Sequence, residues 1–450
     1  MKFIRSLFFT SRFLTALFLI AFLFVLGYFF PLLLSIAQIF LLTIAALFII
    51  DALALYAGAK NKNGRKEKIF ASREMAHRLS NGDLNEIKIF IENFYPFKVK
   101  IKLIDEIPFQ FQKRDFEFSF FIEPDGKKIL NYNLKPVKRG EYSFGNLNVY
   151  VSSPILFIAR RFKFDNGRVI PVYPSFIQMK KYKLLAFSDR LTEAGIKRIR
   201  HLGHSTEFEQ IKKYVSGDDY RTINWKATAR KTELMVNHYE DEKSQQVYCI
   251  IDTGRVMKMP FEEMSLLDYA INSSLVISSI AIDKQDKAGL ITFSNKVGSI
   301  LPADRQSSQI LKILDALYKV KTDFQESDYE ILYSTVLRKI KQRSLILLFT
   351  NFETLSALKR QILYLRKLAA KHLVVVIFFE NTELKKIIDD KANDVEQIYF
   401  QTIAEKFAFE KKQIMRELKR YEIQSILSSP SKLSVNTINK YLELKARGLI

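Results

Sequence analysis

This chain of 450 residues has one cysteine, Cys249. It can form no internal disulfide, which fits a reducing compartment. Other absences narrow the function. There is no Gly-x-x-x-x-Gly-Lys-Ser/Thr phosphate loop and no Gly-x-Ser-x-Gly nucleophile elbow. Zinc-finger spacing, basic-zipper heptads and an RNA-binding aromatic signature are missing, so nucleic acid is not the expected partner. No internal repeat or low-complexity run interrupts the chain. Of the five histidines, His201 and His204 lie close together but lack a nearby cysteine, and Arg198 and Arg200 adjoin them. They read as surface histidines rather than metal ligands. Ser216-Gly217-Asp218-Asp219 offers a hydroxyl without a histidine base. The expectation is a non-enzymatic chain with no catalytic residue and no cofactor.

Acidic residues are in deficit: 48 Asp+Glu face 70 Lys+Arg, a net charge of +22. Charge of either sign is missing altogether between Phe13 and Ile50. One bilayer crossing needs about 20 apolar residues, so this stretch suits two. The turn signal Gly27-Tyr28-Phe29-Phe30-Pro31 divides it into helices expected over Phe13–Phe30 and Leu32–Tyr56. A signal peptide is the competing reading; it is set aside because no small-residue cleavage site follows and a second apolar segment comes at once. Lys2, Arg5 and Arg12 precede the hairpin; Lys60, Lys62, Arg65, Lys66 and Lys68 follow it, opposed by Glu67. Basic flanks stay cytoplasmic, which puts both termini and the remaining chain inside. The anionic inner leaflet is then the simplest reason for the basic excess. Asp51 is expected to reach headgroup water.

From Asn85 onward the pattern changes to alternation. Glu86–Glu92, Lys98–Ile104, Phe116–Ile122 and Gly145–Val151 read as half-buried strands, separated by breakers such as Pro124-Asp125-Gly126. Several short strands at this spacing suggest an immunoglobulin-like β-sandwich. Beyond residue 240 the strands become continuous apolar runs: Val247–Ile251, Ala288–Phe293, Leu345–Phe349, Leu373–Phe379 and Ile423–Leu427. Helical stretches alternate with them at Phe261–Ile282, Gln306–Tyr318, Tyr329–Lys341, Leu355–Lys371, Asp394–Tyr421 and Val435–Arg447. That is the pattern of a mainly parallel sheet covered on both faces, with function at the carboxyl ends of its strands. The polar groups expected there are Asp252-Thr253-Gly254 and Thr350-Asn351.

Those positions resemble the metal site of the von Willebrand factor A fold, in which an Asp-x-Ser-x-Ser loop and a second Asp hold a hard divalent cation. Here the loop reads Asp252-Thr253-Gly254-Arg255-Val256. Gly254 and Val256 stand where the family has serines, and Asn351 where it has the second Asp. Between Lys319 and Asp328 no counterpart of the usual threonine ligand is evident. The expectation is that Asp252 braces its loop; a divalent-cation-dependent binding protein using Asp252, with Mg²⁺, is the alternative.

The most distinctive stretch is Glu207 to Arg230. Its Glu207-Phe208, then Tyr214-x-x-Gly217-Asp218-x-x-Arg221-x-Ile223-x-Trp225-Lys226-x-x-Ala229-Arg230, resembles the signature of the bacterial family called domain of unknown function 58. Arg200–His204, Lys138-Arg139-Gly140-Glu141-Tyr142 and Asn439–Lys445 resemble further elements of that family. The resemblance implies an inner-membrane protein with a degenerate A-type domain. It also implies a partner, a MoxR-type AAA ATPase, in a chaperone-like or assembly role. Gly217, Asp218, Arg221, Trp225, Lys226 and Arg230 have two readings: a docking surface for a partner, or a structural clasp burying Trp225 and pairing Arg221 with Asp218 or Asp219.

The expected architecture is therefore α/β plus β. A transmembrane hairpin occupies 1–60, a basic linker 61–84 and the β-sandwich 85–175. A connecting segment with the signature spans 176–240, and a doubly wound A-like α/β domain 241–450.

Overall fold

A computed structural model describes residues 6–56, 68–113, 116–164, 167–187, 207–216, 218–231, 233–240, 244–261, 263–390 and 394–450. They form two compact units, Met1–Val172 and Tyr173–Ile450.

The first unit opens with strand β1 (Leu7–Phe9), then helices α1 (Ser11–Gly27) and α2 (Pro31–Tyr56). Pro31 at the first position of α2 suits a helix start, where its missing N–H costs nothing. Gly27 is required by space, since a Cβ there would stand 3.0 Å from Leu34 Cα across the hairpin. At 1.5 Å rise per residue, the 26 residues of α2 are more than long enough for a bilayer core of about 30 Å. A third helix, Leu266–Asp283, is also apolar and long, but it lies buried in the second unit as core.

Buried positions of α2 tie this helical hairpin to the β strands. Ala37, Ile44, Asp51 and Leu55 are the buried positions of α2, spaced to lie on one helical face. Asp51 is fully buried, and its Oδ2 accepts the Phe157 and Ile158 N–H groups at 2.9 Å each. It therefore does not reach headgroup water as expected. The fold offers it two buried amide donors, and a buried carboxylate is stable only with such partners. The Leu55 carbonyl near the end of α2 accepts from Tyr95 Oη at 3.0 Å and Arg160 Nη1 at 2.8 Å. Carbonyls of a helix's last turn have no partner within the helix, and these contacts supply one.

The strands of this unit are β2 (Ile69–Glu74), β3 (Leu79–Ser80), β4 (Asn85–Asn93), β5 (Val99–Asp105), β6 (Glu117–Ile122), β7 (Lys127–Leu134), β8 (Gly140–Phe144), β9 (Leu147–Ser152), β10 (Ile158–Phe164) and β11 (Arg168–Tyr173). They form sandwich-like sheets ordered β1-β10-β9-β5-β6, β2-β4-β7 and β3-β11-β8. In β4 and β5 buried residues alternate with more exposed ones, as the sequence pattern expects. Two boundaries differ from expectation. Strands β2 and β3 fall inside the stretch read as linker, 61–84. Leu7–Phe9, read as part of the anchor, pairs antiparallel with β10. Arg73 of β2 and Asp105 of β5 form a fully buried ion pair at 2.8 Å, joining two of the sheets.

The second unit contains α3 (Phe176–Phe187), β12 (Glu207–Lys213), α4 (Trp225–Lys231), β13 (Met235–Glu240), β14 (Gln246–Asp252), β15 (Pro260–Phe261), β16 (Met264–Ser265), α5 (Leu266–Asp283), β17 (Lys287–Phe293), β18 (Val297–Asp304), α6 (Ser308–Lys319), α7 (Tyr329–Lys339), β19 (Leu345–Phe349), α8 (Leu355–Ala369), β20 (Leu373–Phe379), α9 (Thr382–Asp389), α10 (Val395–Arg420), β21 (Gln424–Ser428) and α11 (Leu433–Ala446). One six-stranded sheet runs β18-β17-β14-β19-β20-β21, parallel except for edge strand β18. Helices α5, α6 and α11 pack on one face and α7, α8 and α10 on the other. The arrangement is doubly wound, and the chain changes direction across the sheet between β14 and β19. Helix α3 lies in the stretch read as connector, yet Met179 and Tyr182 pack on the α/β core and the Ser175 N–H donates to Asn272 Oδ1 at 2.9 Å.

Candidate functional site

Asp252 ends β14 and Thr350 follows β19, so the two stand at the crevice where a doubly wound sheet places its ligands. Asp252 is 1 % exposed. Its Oδ1 accepts the Gly254 N–H at 2.8 Å and the Ser327 hydroxyl. Its Oδ2 accepts the Thr350 hydroxyl at 2.7 Å. Thr350 Oγ1 is in turn 2.8 Å from Tyr329 Oη. Burial pushes the Asp252 carboxyl above its ordinary range, against the pull of these three donors. Three protein donors thus surround the carboxylate.

The neighbouring positions also make protein contacts. A Cβ at Gly254 would stand 2.1 Å from Ser327 Oγ and 3.1 Å from Asp252 Oδ1. Glycine at this point is what lets the Ser327 hydroxyl reach the carboxylate. Val256 packs against the hydrophobic core. Arg255 is exposed, and its N–H donates to Gln325 O at 3.0 Å. Among the described residues no cluster of three or more His, Cys, Asp or Glu side chains stands close enough to share a metal ion.

Ser327 lies between Lys319 and Asp328, the stretch in which the sequence shows no counterpart of the usual threonine ligand, and its hydroxyl donates to Asp252. Asn351 departs from its expected place differently. Its Oδ1 accepts from Lys411 Nζ of α10 at 2.7 Å, and the same ammonium donates to Phe352 O at 2.6 Å. Burial lowers the Lys411 pKa to about 8. Neither Ser327 nor Lys411 carries a local signal. Ser327 sits in an aperiodic loop and Lys411 in a helix rich in lysines, and only the fold brings them to this crevice.

The signature segment folds as a two-stranded ribbon, β12 against β13, with a 3₁₀ turn at Tyr220–Thr222 and the short helix α4 between them. Trp225 is 70 % exposed and Tyr220 69 % exposed. Ile211, Val215 and Leu234 are exposed as well, and so are Arg221, Lys226 and Arg230. The clasp reading has Trp225 buried and Arg221 within reach of Asp218 or Asp219. Trp225 instead faces solvent, and the Arg221 guanidinium lies 5.8 Å from the Tyr220 ring centre. Asp218 accepts the Val215 N–H at 3.0 Å and pairs with Lys212 Nζ at 3.0 Å. The turn is capped one residue later, where Asp219 Oδ1 accepts the Arg221 N–H at 2.9 Å, and α4 is capped by Asn224, which accepts the Ala227 N–H at 2.9 Å. Asp218 thus holds the ribbon's turn. Gly217 lies outside the described residues, as do His201 and His204.

Two elements matched to the signature's companions have clear structural jobs. Gly140 has φ +129, a conformation that needs glycine. Tyr142 is buried, and its hydroxyl donates to Lys138 O at 2.8 Å.

Residues 210–405 match the family described as "Protein of unknown function DUF58". The "Uncharacterized protein YeaD" of Bacillus subtilis (strain 168) is 27 % identical over 149 residues, 33 % of this chain and 36 % of that protein. The chain thus spans about a third of that curated relative's length. A solved structure of the conserved hypothetical protein BatB from Bacteroides thetaiotaomicron is 13 % identical, with TM-score 0.27, covering 45 % of this chain and 100 % of that one. An aerotolerance-related membrane protein from Bacteroides fragilis is 16 % identical, with TM-score 0.26, covering 44 % and 99 %.

Proposed function

We propose that this chain, whose residues 210–405 belong to the DUF58 family, is a non-enzymatic scaffold anchored in the cell inner membrane that docks a protein partner at the cytoplasmic face. The observation that carries this reading is the exposed surface of the signature ribbon. Trp225 and Tyr220 stand in solvent beside Arg221, Lys226 and Arg230. Trp, Tyr and Arg are the residue types that dominate binding energy at protein interfaces. Exposed aromatic groups set among cations suit a partner with an acidic, apolar-centred surface. The basic flanks of the hairpin support the cytoplasmic orientation.

The partner is a MoxR-type AAA ATPase, served in an assembly or chaperone-like role; this choice rests on the family resemblance of the signature. The α/β unit is a von Willebrand factor A-like domain that has exchanged its cation for protein contacts. The strand order and the Asp252 crevice support that assignment, with Gly254, Ser327 and Thr350 supplying the donors.

The test is capture of partners by the full chain in detergent, with and without ATP and Mg²⁺. The reading expects an ATP-sensitive AAA ATPase, lost with Trp225→Ala and Arg221→Ala. Capture that depends on Mg²⁺ and is lost on chelation without ATP would reverse it in favour of an Asp252 cation site.

A further inference from the structure

Beside the Asp252 crevice lies a cavity of about 640 Å³ between α9, α10 and the carboxyl ends of β20 and β21. We propose that it binds a small apolar molecule bearing a single anionic head, a carboxylate or sulfonate, which pairs with the Lys411 ammonium. The volume falls within the usual range of about 300–1,000 Å³ for small-molecule sites. Its walls are apolar where the body of a ligand would lie: Phe261, Phe379, Leu384, Phe407 and Leu427. Such sites typically combine an apolar lining with a few placed polar groups.

Lys411 is that polar group. An ammonium has three N–H donors. Two are spent on neutral oxygens, Asn351 Oδ1 at 2.7 Å and Phe352 O at 2.6 Å. The third has no protein acceptor among the described residues, and no carboxylate among them forms an ion pair with it. Glu353 and Glu380 share the lining without pairing with Lys411. Exposed Glu353 and Asp389 are matched by exposed Lys385 and Lys412, which leaves half-buried Glu380 and Lys411 as the remaining charges of the lining. The charge that selects is the half-buried Lys411 ammonium, because it is the one whose N–H groups are held in place by neutral oxygens. Glu353 acts on it through space without a direct ion pair, and a ligand anion in contact with it would relieve more of the cost of its desolvation. The depressed basicity of Lys411 is the mark of the same burial.

The probe is 4-benzoylbenzoate, an aromatic carboxylate that crosslinks on irradiation, with uncharged benzophenone as comparator. The full chain in detergent is labelled and the adducts mapped by peptide mass spectrometry. The proposal expects saturable 4-benzoylbenzoate adducts on residues 379–389 and 403–412. Lys411→Met should reduce them at least tenfold while benzophenone labelling persists, and Lys411→Arg should restore most of the loss. Should Lys411→Met lose both probes through misfolding, Phe407→Glu decides, because Phe407 is already partly exposed and a new carboxylate there must repel the anion. Equal labelling by both probes in the unaltered chain, or undiminished anion labelling in both Lys411→Met and Phe407→Glu, would overturn the proposal.

Discussion

Replacing Thr350 by valine keeps the shape of a buried side chain and removes one hydroxyl. Asp252 Oδ2 then loses the donor that stands 2.7 Å away, and Tyr329 Oη loses its partner at 2.8 Å. A buried polar group left unsatisfied costs about 1–3 kcal/mol, more when it is charged, so ~2–3 kcal/mol is expected for the pair. The chain carries its own reporter. Cys249 is the sole cysteine, fully buried in central strand β14, and burial pushes its thiol up to about 12. It alkylates only when the α/β unit opens, so labelling by N-ethylmaleimide in mild urea tracks that opening. At about 1.4 kcal/mol per tenfold, Thr350→Val should speed labelling roughly 30- to 150-fold. Millimolar Mg²⁺ should leave the unaltered chain's rate unchanged. Should Thr350→Val label at close to the original rate, or should Mg²⁺ slow the unaltered chain markedly, protein donors are not what holds Asp252.

Three further outcomes follow from contacts elsewhere in the chain. Asp105→Asn strands the buried Arg73 guanidinium, and breaking a buried pair costs ~3–5 kcal/mol, so calorimetry should show the β unit's transition fall while the α/β transition stays in place. Asp51→Ala removes the acceptor of the Phe157 and Ile158 N–H groups, and hydrogen exchange at those two amides should quicken by tenfold or more. Lys411 has a folded pKa of about 8 against 10.5 unfolded, so between these values the unfolded chain binds more protons. Its contribution is complete above the unfolded value and is lost as pH falls through about 8, up to ~3 kcal/mol in all. The thermal midpoint of the α/β unit should therefore rise across that window, and Lys411→Met should flatten the rise.

What the sequence made legible followed from period and length. The alternation of Glu86–Glu92 reports a half-buried strand wherever it is met, and the apolar runs at Leu345–Phe349 and Leu373–Phe379 report strands covered on both faces. Helix α10 begins one residue after Asp394, which caps it through the Gln397 N–H, as an acidic residue before a helical pattern suggests. The helix expected from Phe261 begins at Leu266, because Pro260–Phe261 and Met264–Ser265 pair as a small hairpin ahead of it. Strand β1 has three residues, too few for any period, and sits in a flank whose apolar character belonged to the membrane reading. The site was half legible. Asp252 and Thr350 were visible as polar groups closing apolar strands, but Ser327 reaches Asp252 across 75 residues of chain. Whether Trp225 was buried or exposed had no local answer, since an aromatic ring serves a core and an interface equally well.

The central claim is that the signature ribbon docks a protein. A photoreactive p-benzoylphenylalanine in place of Trp225, irradiated in living cells, tests it most directly, with the exposed Phe324 substituted in the same way as a control. The account predicts a covalent protein adduct at position 225, absent at 324, whose partner is an AAA ATPase. A folded, membrane-embedded chain that yields no protein adduct at 225, or the same adducts at both positions, would contradict it.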